Sequence, residues 1–227
     1  MGTQKEATSS LSVTFAGHAT VLLEMNGVRL LTDPLLRRRI GVLIRRSPVP
    51  RPALRHDLGA VLISHAHLDH LDVPSLRLID RRAPVVVPRG LGGLVRRLGF
   101  VPVELEAGDV VEIGPAPGGG STAGSSASSP GSSASSPEVA SAGAGAGPGG
   151  AGLARVRVEA VPAEHSGTRY PLIGGAPALG YVVSGGLTAY FAGDTGLYDG
   201  MAALAPVDVA VLPVGGWGPR LPEDHLN

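Results

Sequence analysis

The sequence predicts an α/β protein in which two mixed sheets lie between outer helices, an αββα sandwich of four layers. Three observations lead there. The chain opens and closes on short β-rich runs joined by two-residue hairpin signals, strand and helix patterns alternate between them, and a hydrophobic fraction of 43% in 227 residues suits one core.

The first run, SVTF, precedes TVLLEM and VRLLTD, which flank Asn26-Gly27, a pair that favours a type I′ turn. The chain therefore begins as antiparallel β-structure. An arginine-rich, proline-punctuated segment covers Arg37 to His56, and AVLIS after it is a continuous apolar run expected to form a buried strand. Pro74 suits the first turn of a helix whose short apolar face is Leu76 and Ile79, and VVV at 85–87 is the next strand. Leu91, Leu94, Val95 and Leu98 recur at helical spacing, with Gly99 placed to end that helix. PVELE and DVVEIG are two more strands. From Pro115 to Gly152 the chain is almost wholly Gly, Ser, Ala and Pro, so it lacks the large apolar side chains that offset ordering entropy. This tract, 115–152, is expected to be a disordered insertion within a single domain spanning 1–227. With the tract excised, DVVEIG would pair with ARVRVEAV, in which Val156, Val158 and Ala160 share one face. GYVVSGGLTAYFAGD is a hairpin turning at Gly185-Gly186, a short helix is expected around Met201 to Leu204, and VAVLPVG is the last strand.

Composition excludes several classes of chemistry. With Cys 0 there is no disulfide framework, thiolate zinc site or cysteine nucleophile, so any metal must be held by imidazole and carboxylate. A net charge of +0 gives no general case for nucleic-acid binding. The opening MGTQKEATSS lacks an apolar signal core, and no apolar run approaches the roughly 20 residues that span a bilayer, so a soluble cytoplasmic protein without a transmembrane segment is expected.

The chemistry concentrates where AVLIS ends. His65, His67, Asp69 and His70 form an H-x-H-x-D-H run, which brings three of the chain's 7 histidines and a carboxylate into one short loop. A tight loop after a buried strand can aim alternate side chains at one cation and the next pair at a second. The competing reading makes them solvent-facing loop histidines before a helix, with Asp69 as its cap. His165 follows VRVEAVPA, Asp194 follows TAYFAG and His225 follows VAVLPVGG, each just past a strand candidate. Spacing does not show that these ends meet, because antiparallel strands alternate in direction.

SHAHLDHLD, PAEHSG, FAGDTG and LPVGGWGPRLPEDHLN, in that order, resemble the metallo-β-lactamase superfamily, especially its branch of lactonase-like and N-acylphosphatidylethanolamine phospholipase D-like hydrolases. The resemblance covers nearly all of the chain except the insertion. It implies one ion on His65, His67 and His165 and a second on Asp69, His70 and His225, with Asp194 bridging. Two divalent ions are thus expected, zinc first, with manganese, iron or nickel suited to the same donors. The implied reaction is hydrolysis of an ester, lactone or phosphodiester bond by a metal-bridged hydroxide, with Asp69 and Asp194 as its catalytic carboxylates. A small or lipid-like anionic substrate is expected; the alternative is a metal-binding protein without activity, or an inactive fragment of such a hydrolase. The sequence ends two residues after His225, so the family's final helix and strand are not in it and a C-terminal truncation is expected.

Further residues carry two readings each. Asp33, in LLTDP, can accept a hydrogen bond from a metal-bound imidazole or cap the turn before Pro34. His18, in GHATVLLE, faces the substrate or satisfies local backbone. Asp72 supports the metal ligands or caps the helix before Pro74, the second being the simpler. Arg169, four residues past His165, can hold an anionic substrate group or a surface ion pair. Trp217 and Tyr198 line a pocket or pack at its rim. The arginines from Arg37 to Arg55 favour a phosphate or lipid headgroup, or decorate a solvated loop, and His56 beside them is read as a solvated loop residue.

Overall fold

The computed structural model describes residues 9–40, 43–45, 47–117, 155–166, 176–204 and 206–214. Three strands open it: β1 (Leu11–Gly17), β2 (Thr20–Met25) and β3 (Val28–Thr32). The hairpin between β2 and β3 turns at Asn26 and Gly27, with φ of 52° and 81°, the pair of left-handed residues that a type I′ turn requires. β4 (Arg39–Ile40) and β5 (Leu43–Ile44) make a small separate hairpin in the arginine-rich segment, followed by a 3₁₀ turn at Pro52–Arg55. β6 (Ala60–Leu62), α1 (Val73–Leu76), β7 (Val85–Pro88), α2 (Gly92–Arg97) and β8 (Pro102–Leu105) then alternate as the sequence pattern predicts. Gly99, with φ of 84°, stands in the left-handed conformation just past α2.

The first sheet has the order β1-β2-β3-β6-β7-β8, antiparallel to β3 and parallel from there. β6 and β7 are buried on both faces, which is why their segments read as unbroken apolar runs. Val21, Leu23, Leu30, Leu62 and Val86 face the second sheet, whereas Leu22, Leu31, Val61, Ile63, Val85 and Val87 face α1 and α2 through Leu76 and Val95. Each such side chain removed from water contributes about 1.5–3 kcal/mol.

The second sheet has the order β13-β12-β11-β10-β9, from β9 (Val110–Ile113), β10 (Val156–Pro162), β11 (Leu179–Ser184), β12 (Thr188–Phe191) and β13 (Val209–Val211). β9 and β10 pair antiparallel with Ile113 opposite Val156, so the long tract between them leaves and re-enters at neighbouring points of one hairpin. Residues 118–154, most of the expected insertion, lie outside the described residues. Val156, Val158, Ala160, Tyr181 and Phe191 complete the core between the sheets. Over the outer face, Val161, Val182 and Tyr190 meet Leu204 and Val207. The helix expected near Met201 is a 3₁₀ turn, Asp199–Leu204, so among the described residues the fourth layer is thinner than the layer of α1 and α2. No helix among the described residues is long and apolar enough to cross a membrane.

Candidate metal centre

The H-x-H-x-D-H segment leaves β6 as a tight turn, in which His70 N–H and Leu71 N–H both donate to the His67 carbonyl, at 3.0 and 2.7 Å. It meets residues from the other sheet at the same edge. β11 runs antiparallel to both β10 and β12, so β10 and β12 point the same way and their C-terminal ends lie together. His165 follows the first and Asp194 the second. Their loops clasp each other: Glu164 N–H donates to Thr195 Oγ1 at 2.9 Å and Gly196 N–H to the Glu164 carbonyl at 2.9 Å.

Four imidazoles and two carboxylates converge. The His65 ring lies 4.0 Å from that of His70, 4.4 Å from His67 and 4.8 Å from His165, centroid to centroid. His165 Nε2 is 3.2 Å from His67 Nδ1 and 4.0 Å from Asp194 Oδ2. His70 Nε2 is 3.2 Å from Asp194 Oδ2 and 3.9 Å from Asp69 Oδ2, and His18 Nε2 is 3.0 Å from Asp69 Oδ2. One potential ligand atom from each of His65, His67, His165 and Asp194 lies within 4.8 Å of the others; His18, Asp69 and His70 form a second such group, and Asp33, His65 and His70 a third.

A buried hydrogen-bond network sets the ring orientations. Asp33, fully buried, accepts from Ser64 N–H at 2.7 Å, from the Ser64 hydroxyl at 2.5 Å and from His70 Nδ1 at 2.7 Å. Asp33 is the acceptor of this contact, so Nδ1 of His70 carries a proton and its Nε2 turns toward Asp194. The Ser64 hydroxyl, committed as donor to Asp33, accepts from His65 Nδ1 at 2.9 Å. That leaves a lone pair on His65 Nε2, which is buried with no hydrogen-bond partner. An uncompensated buried nitrogen is costly, and a cation is the partner its neighbours suit.

The electrostatics separate the two central rings. Burial, with His70 and His67 nearby, pushes His65 far below the ordinary histidine value, so it is neutral and basic toward a metal. Burial also opposes the charge of His70, yet Asp33 and Asp194 outweigh it and raise its pKa to about 10. Burial favours protonated Asp69 and Asp194, but the hydrogen bond from His18 in the first case and from His70 in the second hold both well below the carboxylate range. Neutral His65 and ionised carboxylates, without thiolate and with a His70 proton that a cation would displace, are a donor set for zinc or a similar divalent ion.

The other sequence candidates fall as follows. Asp72 caps α1, accepting from Ser75 N–H at 3.1 Å and Ser75 Oγ at 2.5 Å, and takes a two-pronged contact from Arg37 at 2.7 and 2.8 Å. His18 meets Asp69. Arg169, Trp217 and His225 lie outside the described residues. Ser64, Thr195 and Tyr181 are participants that sequence reasoning missed. Tyr181, fully buried, donates from its hydroxyl to the Ile63 carbonyl at 2.7 Å, and Leu179 N–H donates to the Ser64 carbonyl at 2.9 Å, so the second sheet props the strand end that carries the motif. The adjacency of Ser64 to the motif and of Thr195 to Asp194 was the available signal.

A model described as a beta-lactamase superfamily domain matches residues 28–227. An uncharacterized protein of Mycobacterium tuberculosis is 29% identical over 236 residues, covering 96% of this chain and 52% of the relative. The N-acyl-phosphatidylethanolamine-hydrolyzing phospholipase D 1 of Caenorhabditis elegans is 27% identical over 241 residues, covering 96% of this chain and 58% of the relative. The chain thus spans little more than half the length of either. Among solved structures, the metallo hydrolase Igni18 of Ignicoccus hospitalis superposes with a TM-score of 0.57 at 22% identity, covering 92% of this chain and 72% of that one, a likeness of fold.

Proposed function

The chain belongs to the beta-lactamase superfamily, and from that premise we propose that it is a metal-dependent hydrolase of ester-like bonds whose substrate carries an anionic group. The observation that carries the reading is the convergence of His65, His67, His70, His165, Asp69 and Asp194 at one edge shared by both sheets. His65, His67 and His165 would hold one divalent ion, Asp69 and His70 a second, and Asp194, within reach of both His70 and His165, would be shared. His225 remains the proposed further ligand of the second. Zinc is the proposed ion, because the donors are imidazole and carboxylate. Bound there, such ions supply Lewis acidity and make water a nucleophile near neutral pH.

The chain's own residues do the positioning. Asp33 and Ser64 turn Nε2 of His70 and of His65 inward, so the rings are already placed; His65 offers its lone pair directly, and His70 would yield its Nε2 proton as a cation binds. Asp69, ionised and partly exposed, is the carboxylate placed to accept a hydrogen bond from an incoming water and orient it. Among ester, lactone and phosphodiester bonds, the phosphodiester is the reading favoured by similarity to the nematode phospholipase D, and Arg169 and Trp217 are proposed substrate contacts.

The test is metal analysis of protein purified without chelator, joined to a screen with an aryl phosphodiester, an aryl acetate and a simple lactone. About two ions per chain and turnover of at least one substrate, lost by orders of magnitude in His67→Ala with the fold retained, are the expected result. Full metal occupancy without turnover of any of them would replace the hydrolase reading with that of a silent metal-binding protein.

A further inference from the structure

We propose that His18 is a positioning residue for the Asp69 carboxylate, holding its Oδ2 so that Asp69 presents a fixed edge to the second cation. The inference rests on the reading of the site as a dinuclear hydrolase centre. His18 Nε2 lies at hydrogen-bonding distance, 3.0 Å, from Asp69 Oδ2, the same oxygen that stands 3.9 Å from His70 Nε2. The His18 ring also meets the His70 ring edge-on, with centroids 5.0 Å apart at 61°. Asp69 sits in a loop and is 36% exposed, so nothing in its burial alone selects one rotation of the carboxylate about its last bond. A donor on Oδ2 does select one.

The backbone that delivers His18 is an unusual one. It is left-handed, with φ of 55°, directly after Gly17 with φ of 102°. For a residue with a side chain that conformation is unfavourable, and it persists where the surroundings over-determine it. They do so here. Thr32 Oγ1 donates to the Ala19 carbonyl at 2.8 Å, and Thr20 Oγ1 donates to the Asp33 carbonyl at 2.8 Å while accepting from Leu35 N–H at 2.8 Å. On the other side the Arg45 guanidinium donates to the carbonyls of Ala16 and Leu35. The turn is therefore tied both to the Asp33 loop, which orients His70, and to the arginine-rich segment, and its one projecting imidazole reaches Asp69.

Outer groups of this kind change metal affinity by about 10–100-fold when removed. The test uses the full chain, stripped of metal and titrated calorimetrically with zinc, with thermal melts as the check on folding. His18→Asn tolerates the left-handed backbone but its amide falls short of Oδ2; His18→Gln reaches it with an N–H. The expected result is a second zinc equivalent weakened by about 10–100-fold in His18→Asn, a first equivalent unchanged, and recovery of the second in His18→Gln. His18→Ala carries the same expectation as His18→Asn, should the latter fail to melt cooperatively. An unchanged second equivalent in the short variants overturns the proposal, and so does a second equivalent equally weakened in His18→Gln, which would make the imidazole itself a ligand. A wild-type chain that binds fewer than two zinc ions would fail in a different arm, and would overturn the dinuclear reading together with the role of His18.

Discussion

Replacing Asp33 by Asn tests the network that orients the ligands. The carboxylate is fully buried and accepts three hydrogen bonds, from Ser64 N–H, Ser64 O–H and His70 Nδ1. An amide of the same shape has one oxygen. If that oxygen keeps Ser64 N–H, its NH₂ faces two donors, and His70 escapes the clash only by giving up its Nδ1 proton and keeping the one on Nε2, the nitrogen that faces Asp194. Removing one partner of a buried charged pair costs about 3–5 kcal/mol. For a chain of this size each kcal/mol lowers the melting temperature by about 2–4 °C, so Asp33→Asn should melt roughly 6–20 °C lower. With the remaining proton of His70 on the nitrogen that faces the cluster, zinc affinity should also fall by about 10–100-fold. Differential scanning of metal-free protein and calorimetric zinc titration read the two effects. A variant that melts within about 2 °C of wild type and binds zinc equally well would show that Asp33 does not hold His70.

The hairpin of β9 and β10, closed at Ile113 opposite Val156, implies that residues 118–152 can be replaced by a short turn with a melting temperature that is unchanged or slightly raised, since closure entropy varies slowly with loop length; a scan showing loss of cooperative unfolding would mean that the tract contributes to the core. In metal-free protein the cluster should also shape stability against pH. His70, raised from 6.5 to about 10, contributes stability that is complete below about pH 6.5 and is lost as pH rises through 10, while Asp69 and Asp194, lowered from 3.8, contribute stability present above that value and lost in acid. Melting temperatures measured from pH 3 to 10 should therefore peak between these limits, and Asp33→Asn should flatten the alkaline fall; an alkaline limb identical in the two proteins would refute the assignment to His70.

Much of this arrangement was legible before any coordinates. Asn26-Gly27 announces its hairpin because few residues other than Asn and Gly accept two successive left-handed conformations, and H-x-H-x-D-H is visible because its chemistry is contiguous. What the chain order cannot display is direction. His165 and Asp194 reach the histidines because β11 reverses the path between β10 and β12, a property of pairing rather than of spacing. The arginine-rich segment shows a different limit. Arg37 and Arg38 are neighbours in sequence, yet Arg37 pairs with buried Asp72, and Arg45 ties the turn before His18 to Leu35. Charge density along a chain does not tell a solvated arginine from one whose guanidinium replaces missing backbone hydrogen bonds.

The same contacts explain why the site forms only where the two sheets meet. Ser64 belongs to the first sheet's strand end, and its carbonyl accepts from Leu179 of the second. Gly193, with φ of 62°, lies so near that a Cβ on it would stand 2.7 Å from Ser64 Cβ, so the chain entering Asp194 must be glycine to pass the residue that orients His65 and bonds Asp33. Tyr181 donates across the same seam to Ile63. A displacement between the sheets would therefore separate Asp194 from His70 and loosen the Ser64 network at once, since both depend on that close approach. It follows that the core between the sheets, Leu23, Leu62, Val86, Tyr181 and Phe191 among it, holds the centre's geometry as well as the fold.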